Sequence, residues 1–493
     1  AGIPLERYEG AGSTASVLLK KHAVKDFKGK HLAELPPGLG SAVLRAFFGG
    51  RFENSTIGTV HKPVFGYDIS SAYPYALSFL PCLECGRWEL RSAKGKRLRD
   101  MIDGADLALV RFRVRAVPAG LRRKLAWMPL PCRDEKGSIA YGCNFEGWAW
   151  KPEILAALEG WPDLVELPGE AWFFRAGWRC MRHHEPFGFL PGVYRQRVQW
   201  GKEGAGKALK LGANASYGKT AQSVGEDPPF QSWIWAGMCT ATTRGQLLRA
   251  MLRARSPWSI LAVATDGIFS TERLTLDEPK DTGTGDLAKP LGGWEAKDLP
   301  EGMFLAKPGL YFRLRSSFAE IRARGVGRRE VFEQKDRLLE AFAAWDRTDF
   351  DFALPMTSRR FYGAKHSIVA MSGCLKCSTT WPGVPEHGCP KCHGVGSYMN
   401  TAPLKTPEGR AAYGLWNVRT TEVRFDPHPK RERRVSKGGT YARLYVRDLG
   451  GRTSAEYAKG KTTPEGEAAR LAGDFNLEQP DWIESPMVEG EEG

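Results

Sequence analysis

Two aspartates far apart in the chain each close a short apolar run: Asp68 follows Val64-Phe65-Gly66-Tyr67, and Asp266 follows Ile260-Leu261-Ala262-Val263-Ala264-Thr265. Between them, Lys207, Lys210, Asn214 and Tyr217 are spaced by three, four and three residues, so they share one face of a helix. Paired carboxylates supply the oxygen ligands that divalent cations need to activate a hydroxyl and neutralise a leaving pyrophosphate, and a lysine-bearing helix face suits a triphosphate. Taken singly, either Asp is an ordinary turn or cap residue and Lys210 an ordinary solvated one. Three stretches in order, Asp68 to Pro74, Lys210 to Gly218 and Ala264 to Gly267, favour metal-assisted nucleotidyl transfer.

The elements that must position these residues are legible from local pattern. Residues 64–69 read as a buried strand, and Pro74 suits the first turn of a following helix. Residues 203–217 and Trp235 to Arg253 read as helices. Ile260-Leu261-Ala262-Val263 and Ile268-Phe269-Ser270 flank a turn holding Asp266-Gly267, a hairpin signal with the second carboxylate at its tip. Between residues 80 and 185, strand-like pieces such as Leu107 to Val114 and a helix beginning near Pro152 suggest an inserted subdomain more than a single sheet. Val331 to Trp345 reads as a charged helix, and Lys430-Arg431-Glu432-Arg433-Arg434 begins a basic patch. After about residue 462, Glu and Pro enrichment predicts a loosely held tail.

At 493 residues the chain exceeds what one small core requires, and its 42% hydrophobic content is that of a folded protein. Lys and Arg number 71 against 56 Asp and Glu, a net charge of +15 that favours a polyanionic partner. No opening segment has a secretion signal's apolar core and no run approaches membrane-spanning length, so a cytoplasmic location without a membrane partner is expected.

Cys374, Cys377, Cys389 and Cys392 form CxxC-x11-CxxC. Four thiolates in two close pairs can enclose one structural Zn2+ tetrahedrally, leaving no open catalytic position. His387 and His393 are alternative ligands. Cys82 and Cys85 form another CxxC with no clear second pair beside it.

The three ordered stretches closely resemble motifs of the family B DNA polymerases, in particular the branch of protein-primed phage and plasmid enzymes. Asp68 to Pro74 resembles the first palm motif, Lys210 to Gly218 the fingers motif, and Thr265-Asp266 the last part of the second palm motif. With weaker matches the resemblance runs from about Gly49 to about Gly327. It implies an α+β right-hand fold of palm, fingers and thumb, with a small zinc module added. It further implies that Asp68 and Asp266, with the Ile69 carbonyl, bind two Mg2+ ions, for which Mn2+ can substitute. By the same resemblance Tyr73 lies under the incoming sugar and rejects a 2′-hydroxyl, Lys210 contacts the triphosphate, and Asn214 and Tyr217 shape the pocket. Gly49-Gly50 resembles the motif that contacts template backbone; Thr265, Tyr311, Arg322 and Arg324 match positions that hold DNA. Arg replaces the more usual Lys in Arg322-Ala323-Arg324-Gly325, which keeps the charge and changes its hydrogen-bond geometry.

The organisation expected from this resemblance is an N-terminal region with the first palm segment (1–75), a palm insertion or priming-protein-like subdomain (76–185), fingers (186–235) and a second palm segment (236–325). A thumb-like region (326–461) containing the zinc module (374–392) and a tail (462–493) complete it. Primer-template DNA and dNTPs are the implied partners, with a terminal protein or other replication proteins, in a bacterial or archaeal host cell. Two departures stand out. Ala264 replaces a common carboxylate, and Gly267 replaces the usual Ser. Only residues 1–67 precede Asp68, so 3′ to 5′ exonuclease activity is not expected. Residues 75–209 leave room for the insertion that contacts a priming protein, whereas residues 219–265 are too few for a second insertion. Priming without a supplied primer is therefore an alternative, and a non-catalytic DNA-binding replication scaffold is another.

Overall fold

The computed structural model describes residues 10–177, 185–201, 203–222, 227–315 and 430–457 except 433, 434 and 439. It also describes 321–323, 328–344 and five strands between 353 and 424. The chain divides into two compact units, Ala1–Arg315 with Pro427–Gly493, and Ser316–Asp426. Helices and sheets are mixed throughout, as expected for an α+β chain.

In the first unit, a five-stranded antiparallel sheet carries strands Arg51–Asn54, Ile260–Thr265, Gly267–Ser270, Val64–Ile69 and Trp294–Leu299 in that order. Strand alternation sends Tyr67, Ile69 and Ile268 to one face, where they pack on Leu247, Leu248 and Met251 of the helix Trp233–Leu252. Asp68 falls on the opposite face. That helix is apolar nearly all round and buried along most of its length, which is what a central core helix requires. It begins two residues earlier than its apolar pattern suggests because the Ser232 side chain accepts a hydrogen bond from Trp235 N (3.3 Å) and caps the first turn.

A second sheet joins Thr56–Val60 to Met303–Lys307, which pairs with Leu310–Arg313, and to Tyr441–Leu444, which pairs with Val435–Gly438. A third sheet gathers the strands of residues 80–185, a region whose sequence suggested an inserted subdomain more than a single sheet. Its order is Arg447–Thr453, Ile139–Trp150, Leu107–Val114, Glu170–Ala176 and Gly86–Ser92, with Pro131–Arg133 and Val165–Glu166 added at the side. Its apolar positions, among them Val110, Phe112 and Phe145, close over Leu98 and Ile102 of the helix Gly95–Asp103 in a core of their own. The member from Arg447 to Thr453 arrives from the far end of the sequence and pairs in parallel, which local periodicity cannot reveal.

The helix Gly204–Thr220 packs against Ala11–Lys21 and Leu190–Gln199. At Gly212 a Cβ would stand 2.5 Å from Thr14 Cγ2, so glycine is what lets the N-terminal helix approach.

In the second unit, Lys335–Ala344 is helical, Ala353–Arg359 pairs with Val418–Arg424, and Ile368–Cys374 pairs with Thr380–Pro382 and Ser397–Pro403. Among the described residues no helix is long and apolar enough to cross a membrane.

Candidate active site

Asp68 is the penultimate residue of its strand and lies opposite Gly267 on one side and Glu295 on the other. Asp266 occupies the turn that joins the hairpin strands, and its carbonyl accepts a hydrogen bond from Ile69 N (2.9 Å). The two aspartates, distant in sequence, therefore stand at one end of one sheet. The turn is tight: Asp266 N donates to Ala264 O (2.8 Å) across Thr265, whose φ is 60°. A β-branched residue at positive φ is strained, and the flanking ladder must hold it there.

Asp68 is exposed and Asp266 half-buried. Carboxylate oxygens are hard donors suited to Mg2+, which is commonly held by one or two carboxylates together with water and substrate phosphates. Among the described residues no group of three or more His, Cys, Asp or Glu is placed to hold a metal ion.

The backbone carrying Asp68 is fastened on its far side. Ser70 N donates to Gly293 O and Gly292 N to Ser70 O, each at 2.8 Å. Ser70 Oγ donates to Glu295, whose carboxylate also pairs with Lys289. Burial raises the Glu295 pKa, but the hydrogen bonds from Lys289 and Ser70 outweigh it and hold the carboxyl below its usual range.

Tyr73 follows in the helix Ala72–Ser78, its ring 4.5 Å from that of Tyr217. A Cβ placed on Gly50 would meet Thr265 Cγ2 at 2.9 Å and Tyr73 Oη at 3.0 Å. The fold thus brings Gly50, Tyr73, Thr265 and Tyr217 together beside the Asp266 turn. Asn214, half-buried, and Lys210, exposed, lie further back along the Tyr217 helix. Burial drives the Tyr217 hydroxyl pKa well above its usual value, so it stays protonated. Tyr311 meets Phe269 edge to face at 4.9 Å, and Phe269 lies two residues along the strand from Gly267. Arg322 is exposed in the second unit. Arg324, Cys377, Cys389 and Cys392 lie outside the described residues, as does the side chain of Cys374, the last residue of its strand.

Three contributors escaped the sequence reading. Arg197, on the helix Leu190–Gln199, borders one small, mainly apolar crevice with Lys210, Ser71 and Pro74, so cations from two helices flank it. Arg244 and Arg133 hold the loop that leads into Gly49-Gly50. Arg244 donates to Phe48 O (2.6 Å) and Gly49 O (2.8 Å), and Arg133 to Phe47 O (2.6 Å). Burial lowers the Arg244 pKa, but the bidentate Glu153 carboxylate more than offsets this and the net shift is upward. Arg133, buried without such a carboxylate partner, is lowered to about 10 by desolvation. A lone arginine inside the apolar run 233–248 was the available signal, since buried arginine requires partners.

No family model matches the chain. Over 209 residues it is 27% identical to a protein named DNA polymerase from Acidianus bottle-shaped virus, a match covering 41% of this chain and 30% of the relative. The chain thus spans under a third of that relative's length. This match bears out the DNA polymerase resemblance read from the motifs. Solved structures similar to the chain include phi29 DNA polymerase complexed with primer-template DNA and incoming nucleotide, at 17% identity and a TM-score of 0.43, covering 81% of this chain and 68% of that one. Another is the family B DNA polymerase of the archaeon Pyrobaculum calidifontis, at 14% identity and a TM-score of 0.31, covering 69% and 36%.

Proposed function

We propose that the chain is a family B DNA polymerase that extends the 3′ end of a DNA primer by template-directed nucleotidyl transfer from dNTPs. The observation that carries this reading is the pairing of Val64–Ile69 with Gly267–Ser270, which brings Asp68 and Asp266 to one end of one sheet beside Tyr73. Asp68 and Asp266 would hold Mg2+, with the Ile69 carbonyl as a further donor. Bound there, two such ions would lower the pKa of the primer hydroxyl and offset charge on the departing pyrophosphate.

The other residues bind and orient. Lys210, with Arg197 on the neighbouring helix, would attract the triphosphate. Tyr73, backed by Tyr217, would lie under the incoming sugar and reject a 2′-hydroxyl, and Asn214 with Tyr217 would border the nascent base pair. Gly49-Gly50, held by Arg244, follows the template backbone; Thr265, Tyr311, Arg322 and Arg324 serve the DNA strands. The net charge of +15 favours a nucleic-acid partner through counterion release. Cys374, Cys377, Cys389 and Cys392 would bind one structural Zn2+.

The test is dNTP incorporation on one DNA template with and without an annealed primer, in Mg2+, for the wild type and the Asp68→Ala and Asp266→Ala variants. Primer-dependent products abolished in both variants are expected. Synthesis that survives either substitution would overturn the assignment, and products formed equally without primer would move it to a primer-making polymerase.

A further inference from the structure

Gly267 is not glycine for the sake of its backbone, because its φ is not among the chain's positive values. Space is the requirement. A Cβ built on Gly267 would stand 2.3 Å from Asp68 Oδ1, inside the 3.0 Å that real Cβ contacts essentially never breach. Its next neighbours, Tyr67 O at 3.4 Å and Asp68 Cγ at 3.5 Å, are in ordinary contact. The Asp68 carboxylate therefore lies over its cross-strand partner, in the volume a side chain at position 267 would fill.

We propose that Gly267 is a positioning residue whose missing side chain sets the direction from which Asp68 presents its carboxylate to a divalent cation. The inference rests on the reading of Asp68 as a metal ligand. Its physical basis is that the clash involves one end of a short side chain. The nearest atom is the tip of a side chain and not backbone, so a substitution at 267 bears first on the carboxylate and only then on the strand pairing. Any side chain at 267 would demand a different Asp68 rotamer here, so Gly267 and the lie of Asp68 form a matched pair.

The experiment is a titration of the full chain with Mn2+, followed by electron paramagnetic resonance, on a dideoxy-terminated primer-template with the matching dNTP. Gly267→Ala is expected to weaken Mn2+ binding by about tenfold or more, the range seen when groups that orient a ligand are altered. In an Asp68→Ala background the same substitution should change nothing, because the atom it displaces is gone. If Gly267→Ala proves unstable, adding Asp68→Ala should return its melting temperature to that of Asp68→Ala alone. Unchanged Mn2+ binding in Gly267→Ala, an equal loss in both backgrounds, or a melting temperature that Asp68→Ala fails to restore would each overturn the inference. Failure of the underlying reading is separately visible: Asp68→Ala alone would then bind Mn2+ and incorporate dNTPs like the wild type.

Discussion

Replacing Arg244 by Met tests whether the buried ion pair under the Gly49-Gly50 turn organises this part of the molecule. The Arg244 and Glu153 side chains are 1% and 2% exposed and meet through two parallel hydrogen bonds, Nε to Oε1 at 2.8 Å and a terminal nitrogen to Oε2 at 2.7 Å. Removing the cation strands a carboxylate in the core, for which about 3–5 kcal/mol is the usual cost. Phe48 O keeps the Thr240 hydroxyl at 2.7 Å, but Gly49 O loses the Arg244 donor, which adds about 1 kcal/mol. Changing Glu153 to Met as well removes the stranded charge, so the double variant should recover most of the loss and retain a deficit of roughly 1–3 kcal/mol from the carbonyls. Guanidinium unfolding followed by tryptophan fluorescence reads this, because Trp150, Trp233 and Trp235 are all buried in one core with Phe47. Primer-template affinity, measured by anisotropy, should fall in both variants. A double variant as unstable as the single one would refute the charge-stranding argument.

Arg197→Ala should raise the dNTP KM about 10- to 100-fold, the loss of one charge-assisted hydrogen bond, and leave primer-template affinity nearly unchanged; equal effects on both would remove Arg197 from the nucleotide cleft. His31 is buried and stacked on Phe27 at 4.0 Å, and desolvation lowers its pKa from 6.5 to about 4. Between those values the unfolded chain binds a proton that the folded one refuses, so stability is full above pH 6.5 and falls by about 3 kcal/mol on approaching pH 4. His31→Gln should remove that part of the slope in urea titrations at pH 7 and 4.5, and an unchanged slope would contradict it. Elemental analysis should find one Zn2+ per chain, lost in a Cys374→Ser, Cys377→Ser double variant; a metal-free wild type would refute the zinc assignment.

What could be read from the chain alone was set by the range of the interactions involved. The hairpin around Asp266 and the helices near 204–220 and 233–252 were legible because alternation, helical spacing and turn chemistry act within a few residues. The departures at Ala264 and Gly267 were visible as letters, yet the reason for Gly267 depends on a residue almost two hundred positions away. Arg197 was hidden for a similar reason: its role arises only when Leu190–Gln199 packs beside the Lys210 helix, and an arginine in an amphipathic stretch has no local mark.

The basic run beginning at Lys430 shows the opposite hazard, a local pattern that tertiary structure overrides. Lys430 and Arg431 look like surface charge, but both are buried in the first unit, and Glu432 pairs with Arg122 at 2.9 Å. Lys430 Nζ donates to Phe52 O (2.8 Å), while Arg431 reaches Glu53 at 2.7 Å and Ala126 O at 2.6 Å. Arg51 grips the other oxygen of Glu53 and donates to Met128 O (2.8 Å). Two guanidinium groups thus share one carboxylate in the core, an excess of charge that burial opposes and that lowers the Arg431 pKa to about 10. Aromatic faces compensate: Trp127 lies 4.7 Å from Arg431 and 5.3 Å from Arg51, and Tyr141 lies 4.0 Å from Arg51. Arg51 follows Gly50 directly and pairs with Thr265. The returning C-terminal segment is therefore fastened to the strand that leads from the glycine pair into the carboxylate-bearing sheet. Charge in this protein thus holds, from within the core, the backbone that leads into the carboxylate-bearing sheet.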